Sequence, residues 1–159
     1  MELIIDRTAQ DVERWKTLRG KGWAGMTELE KQEWLGELSV TPDASKGMYT
    51  HKDMNRVERA VSEIATKLIT VGFLNKRIET KTDWSYTDVL TKAEMSRYLG
   101  NLKLLADSVS VQTKIPTIDE KLDYNMANNI EKILSEVSNV VESIIRNRWY
   151  ANEIFSGEV

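Results

Sequence analysis

An all-α bundle of four to five helices is the fold class this sequence predicts, and three observations predict it. Six of the thirteen threonines have Asp or Glu three residues later, more than 25 acids among 159 residues would place there by chance. Long stretches carry apolar residues three and four apart, the repeat of one helix face. Both prolines, Pro42 and Pro116, fall between those stretches.

The threonine–acid pairs mark helix starts. In Thr8…Asp11, Thr27…Glu30, Thr50…Asp53, Thr91…Glu94 and Thr117…Glu120 the hydroxyl can accept from an otherwise unpaired amide of the first turn. The carboxylate reaches back to the cap and meets the positive end of the helix dipole. The first helix is predicted from Thr8 to about Arg19, closed by Gly20 with Gly22 behind it. Trp15 is its anchor to the bundle. The second helix begins at Thr27 with Leu29, Trp34, Leu35 and Leu38 inward, and Pro42, Asp43, Ser45 and Gly47 then read as a surface loop. The third begins at Thr50, places Met54, Val57, Val61, Ile64, Leu68 and Val71 on one face, and stops at Gly72. At about 1.5 Å per residue it spans ~33 Å, the width of the domain.

From Phe73 the rhythm is lost as far as Trp84, which predicts an extended segment there, a short hairpin or a non-helical strap across the helices near residues 73–90. The fourth helix is predicted from Thr91 to about Ser110 with Met95, Leu99, Leu102, Leu105, Ala106 and Val109 inward. The last runs from about Tyr124 to Tyr150. Its wide apolar stripe is Ala127, Ile130, Ile133, Leu134, Val137, Val140, Val141, Ile144 and Ile145, as a core-facing bundle helix requires. The length fits one helical domain over residues 1–159, with the tail at 151–159 a candidate interaction segment.

Composition excludes several function classes. The 22 basic and 25 acidic residues leave a net charge of −3. They are interspersed, so no basic field exists for nucleic acid. With no cysteine, disulfides, thiolate metal sites and cysteine nucleophiles are ruled out. The start Met1-Glu2-Leu3-Ile4-Ile5-Asp6 has acids where a secretion signal has bases, and no apolar run reaches the length of a membrane span.

No catalytic group or cofactor site is expected. The single histidine, His51, falls in the first turn of the third helix and reads as a surface or capping residue. Asn128, Asn129, Glu131 and Glu142 could converge on a divalent cation, but read as the solvated face of the last helix. Gly20-Lys21-Gly22-Trp23-Ala24-Gly25 follows a helix, whereas a dinucleotide loop follows a strand, so it reads as a cap and turn. The acid pairs Asp83…Asp88 and Asp119-Glu120 read as caps and solvated charge. The five tryptophans suit burial or partner contact. Trp23 and Trp84 in connectors, with Trp149, Tyr150 and Phe155 at the end of the chain, form the candidate interface.

The order of several segments resembles a known family. Gly22-Trp23-Ala24-Gly25-Met26-Thr27-Glu28-Leu29-Glu30-Lys31-Gln32-Glu33-Trp34-Leu35 is similar to the opening of a small helical protein encoded among tail genes of phages and prophages of Gram-positive bacteria. Met54-Asn55-Arg56-Val57-Glu58, Lys81-Thr82-Asp83-Trp84, Glu94-Met95-Ser96-Arg97-Tyr98-Leu99, Lys121-Leu122-Asp123-Tyr124 and Ser156-Gly157-Glu158-Val159 follow in the family's order. The segment Gly47 to Val57 keeps the cap chemistry with altered flanks. The connector before Pro116 lacks the family's proline-rich wording. The resemblance implies a non-enzymatic virion structural protein of a tailed phage or phage-derived particle, in the tail, baseplate or fibre attachment region. It would be made in the host cytoplasm, carried in the virion, and work by assembly with itself or with other tail proteins. The alternatives are a small helical adaptor or regulatory protein with a single protein partner and, further off, a hydrolase acting through carboxylates.

If Thr50 caps the third helix, Thr50→Ala should lower stability by about 1 kcal/mol. Urea unfolding measures it, and an unchanged midpoint would place the helix start elsewhere.

Overall fold

Four of the five threonine–acid pairs form complete capping boxes in the computed structural model, which describes residues 2–117 and 122–156, with side chains through residue 148. They open α1 (Ala9–Gly25), α2 (Glu28–Leu35), α3 (His51–Thr70) and α4 (Lys92–Ser108). The acid of the fifth pair, Glu120, lies outside the described residues, as does Asp119. The fifth helix, α5 (Tyr124–Ser156), follows Asp123, whose carboxylate accepts from the Met126 amide at 2.8 Å. The structure is thus an all-α assembly of five helices, with a 3₁₀ turn at Ala44–Gly47 and no strand among the described residues.

Helices α3, α4 and α5 pack around the main core. Val57, Ile64 and Leu68 from α3 meet Leu102 and Leu105 from α4 and Ile130, Ile133 and Leu134 from α5, all of them fully or almost fully enclosed. These are the inner faces the three- and four-residue spacing predicts. A second, smaller cluster joins α1, α2 and the 3₁₀ turn through Leu18, Met26 and Ala44. Trp15 and Trp34 pack against it and stack on each other, with centroids 6.2 Å apart.

Several boundaries and faces differ from expectation. The first helix passes through Gly20, where glycine costs about 1 kcal/mol without forcing a stop. It breaks at Gly22, whose φ of +65° and ψ of 163° are non-helical. On α2, of the residues expected inward, Trp34 packs on the smaller core while Leu29 and Leu35 are exposed, and Glu33 is buried. Two helical turns are too few to bury a full apolar stripe, and Glu33 is drawn in by Arg14, which grips it through two hydrogen bonds of 2.9 and 2.7 Å.

The segment expected as a surface loop is instead a wedge. Asp43 and Ala44 are buried, and Gly47 presses so closely on α1 that a Cβ there would sit 2.2 Å from the Asp11 carbonyl oxygen. On α5, Val140 is exposed while Ile144 and Ile145 are half-buried. On α4, Tyr98 is buried, whereas Met95 and Val109 only flank the core.

The strap between α3 and α4 is irregular throughout. It is held by side chains of the helices it crosses. Asn55 clasps the Trp84 main chain with two hydrogen bonds of 2.8 Å, and Arg97 and Asn101 both donate to the Glu79 carbonyl.

Ile130→Ala and Ile133→Ala should each lower stability by about 2–5 kcal/mol through the cavity left behind. Val140→Ala should change it by less than about 0.5 kcal/mol, as at other surface sites. Urea unfolding of the three variants would separate the two faces.

Candidate binding cleft

At the heart of the molecule lies a charged cluster that links the N-terminal arm to the bundle. Glu131 of α5 is fully buried. One of its carboxylate oxygens accepts from Arg7 Nη2 and Arg56 Nη2, both at 2.7 Å; the other accepts from Arg56 Nε at 3.0 Å and the Ile4 amide at 2.7 Å. Asp53, the capping acid of α3, accepts from both arginines as well, at 2.9 and 2.5 Å. Asn128 completes the attachment of the arm by pairing with both the amide and the carbonyl of Arg7. Glu58 of α3 is equally buried and is gripped by Arg97.

Burial alone would push the Asp53 carboxyl up. The Thr50 amide, Arg56 and Arg7 outweigh it and hold Asp53 below its ordinary value. The Tyr49 hydroxyl is turned inward onto the Tyr98 hydroxyl at 2.5 Å. Burial pushes both phenols well above the ordinary tyrosine range. Arg7 lies over the Tyr49 ring, 5.5 Å from its centroid.

Next to this cluster, a cleft of about 530 Å³ opens between the two apolar cores. Trp15, Trp34, Leu35, Ala44 and Met48 line it from the N-terminal side; Met54, Trp84, Tyr86 and Leu90 line it from the bundle and strap; Tyr49 lies in the connector between them. Its size falls in the range of ~300–1,000 Å³ usual for ligand pockets, and junctions between packed units are where such pockets form. Leu35, Met48, Tyr86 and Leu90 are also exposed, so the apolar lining continues onto the surface. The indole N–H groups of Trp15 and Trp84 are buried without an acceptor among the described residues.

The candidate interface residues occupy different places. Trp23 is 53% exposed, with Lys31 over its ring. Trp84 is only 4% exposed, lying beneath the Lys81 ammonium at 4.0 Å from the ring centroid. It therefore anchors the strap and walls the cleft. The side chains of Trp149, Tyr150 and Phe155 lie outside the described residues. His51 is half-buried and lines the cleft near Ser45, Thr50 and Ser85. Glu142 is exposed and paired with Lys67.

Glu131 and Asn128 correct the reading of a solvated α5 face, because both are drawn inward by the N-terminal arm. The signal was present in the helical phase. Glu131 lies four residues after Ala127 and three before Leu134, on the apolar stripe itself, and Glu58 holds the same relation to Met54 and Val61. Among the described residues, no three His, Asp or Glu side chains gather as a metal ion requires. No helix among them is long and apolar enough to cross a membrane. Comparisons with family models, with curated proteins and with solved structures found no match to this chain.

Glu131→Ala would leave Arg7 buried beside one acid in place of two, and should cost about 3–5 kcal/mol in urea unfolding. Because the folded state lowers the Asp53 pKa from 3.8, ionised Asp53 favours folding above that value. The gain is lost as pH falls through the folded pKa. Stability should therefore fall steeply below about pH 4, and Asp53→Asn should flatten that part of the profile.

Proposed function

We propose that this chain is a non-enzymatic virion structural protein of a tailed phage or phage-derived particle, placed in the tail, baseplate or fibre attachment region. It acts through contact with copies of itself or with neighbouring tail proteins. The observation that carries an assembly role is the aromatic cleft whose apolar lining spills onto the surface at Leu35, Met48, Tyr86 and Leu90. Tyr86 and Val89, 87% and 79% exposed, extend the apolar surface of the strap, and Leu29 and Trp23 add more on the α1–α2 side. Exposed apolar side chains beside a cleft commonly mark a contact site, and aromatic residues are enriched among those that dominate contact energies. Glu131, Asp53, Glu58 and Glu33 are each engaged by arginines in bonds that hold helices together.

The placement in a phage tail comes from the ordered segments that begin at Gly22-Trp23 and end at Ser156-Gly157-Glu158-Val159. The cleft also suits the second reading, a small adaptor that holds one protein partner.

Light scattering and particle composition discriminate the two. The structural reading expects the purified protein to form a closed multimer, or to be found in phage particles by mass spectrometry. Trp23→Ala, or Tyr86→Ser combined with Val89→Ser, should weaken that association by about tenfold or more without shifting the urea midpoint. A strict monomer that is absent from particles would leave the adaptor reading in its place.

A further inference from the structure

We propose that the N-terminal unit, made of α1, α2 and the 3₁₀ turn, is a hinged jaw. It turns as one body about Arg7 and Tyr49 and closes the cleft by bringing Leu35 against Tyr86 and Leu90. Such a jaw operates whether or not the chain assembles into a particle. Three features of the structure support it.

The first is the division of the molecule into two bodies. Extensive helix packing runs among α1, α2 and the 3₁₀ turn, and separately among α3, α4 and α5. Among the described residues the two apolar clusters share no member. The smaller body is braced from inside, because Asp11 accepts from the Asp43 amide at 2.7 Å and Glu33 accepts from both the Ala44 amide and Arg14. Where two bodies of one chain meet without a large apolar interface, motion of one against the other is the ordinary expectation.

The second is where the bodies are joined. The chain passes between them twice, at Thr8 and at residues 48–50. The two crossings lie together, with the Arg7 guanidinium 5.5 Å from the centroid of the Tyr49 ring. Each is pinned to the bundle: Arg7 donates to Asp53 and Glu131, and the Tyr49 hydroxyl bonds that of Tyr98. Thr8, Met48 and Thr50, beside the pins, are extended residues at the ends of elements. Such positions absorb the φ and ψ changes of a hinge. Two neighbouring attachments define one line, and rotation about that line is the easiest motion they leave.

The third is the gap itself. The cleft of about 530 Å³ lies between the bodies, with Tyr49 and Thr50 in its wall. Leu35 of the smaller body and Tyr86 and Leu90 of the strap line it and are exposed, so the jaw stands open in this structure. Closure takes these apolar side chains out of water while both bodies stay folded, which favours the closed form.

The chain has no cysteine, so introduced cysteines carry spin labels at defined places. Double electron–electron resonance on the full chain reads the distance between Leu29→Cys on α2 and Val89→Cys on the strap, both exposed and neither lining the cleft. Glu13→Cys with Leu29→Cys reports on the smaller body alone, and Val89→Cys with Ser143→Cys on the larger. The pair across the cleft should show two populations, one at the separation of the open structure and one shorter, while each control pair shows one. Leu35→Asp combined with Leu90→Asp sets like charges on the two sides of the cleft and should abolish the shorter population. Both sites are exposed, so the urea midpoint should hold. A single distance across the cleft, no broader than those of the controls, overturns the proposal. A shorter population that survives the paired aspartates overturns it as well.

Discussion

A carboxylate with no access to water, Glu131, sets the terms for the rest of this structure. An unpaired charge in that position would be far too costly. The fold answers with two arginines and a backbone amide, drawn from two places. Arg56 comes from the neighbouring helix. Arg7 and the Ile4 amide come from the arm before α1. The arm must therefore cross α3 and α5 at one register, which fixes where α1 begins and hence where the N-terminal unit sits. A buried ion cluster of this kind adds little net stability compared with apolar packing, but it penalises any arrangement that leaves one member unpaired.

The same economy runs through the helix caps. In each of the four capping boxes the acid that reaches back to its threonine also ties a second element. Asp11 accepts from the Asp43 amide in the wedge before the 3₁₀ turn, and Asp53 meets both arginines. Glu30 pairs with Lys21 across the α1–α2 junction, and Glu94 lies near Lys81 of the strap. A local signal for starting a helix thus also positions that helix against its neighbours. The threonine–acid motif is short, yet it carries tertiary information because a carboxylate has two oxygens to share.

What was legible in the sequence follows from which forces are local. Caps and apolar periodicity act within a few residues, so the starts of α1 to α4 and the inner faces of α3 and α5 could be read directly. The cleft was not legible, because its walls come from residues as distant as Trp15 and Leu90, and sequence order does not bring them together. Nor did polarity alone reveal the roles of Glu131 and Glu58; their phase on the apolar stripe held the information. The short helix α2 misled because its two turns are organised by Arg14 and Glu33, leaving Leu29 and Leu35 outside. Trp84 looked like a free connector aromatic, yet Asn55 draws its main chain against α3.

The presence of two apolar cores of unequal size has a consequence for how the molecule breathes. Among the described residues the smaller one buries Leu18, Met26 and Ala44, while the larger spans three helices. Units of such different size open with different free energies, so amide protons in α1 and α2 should exchange through partial openings that leave α3, α4 and α5 intact. The N-terminal foldon is the part of the molecule that can yield first while the bundle keeps its form.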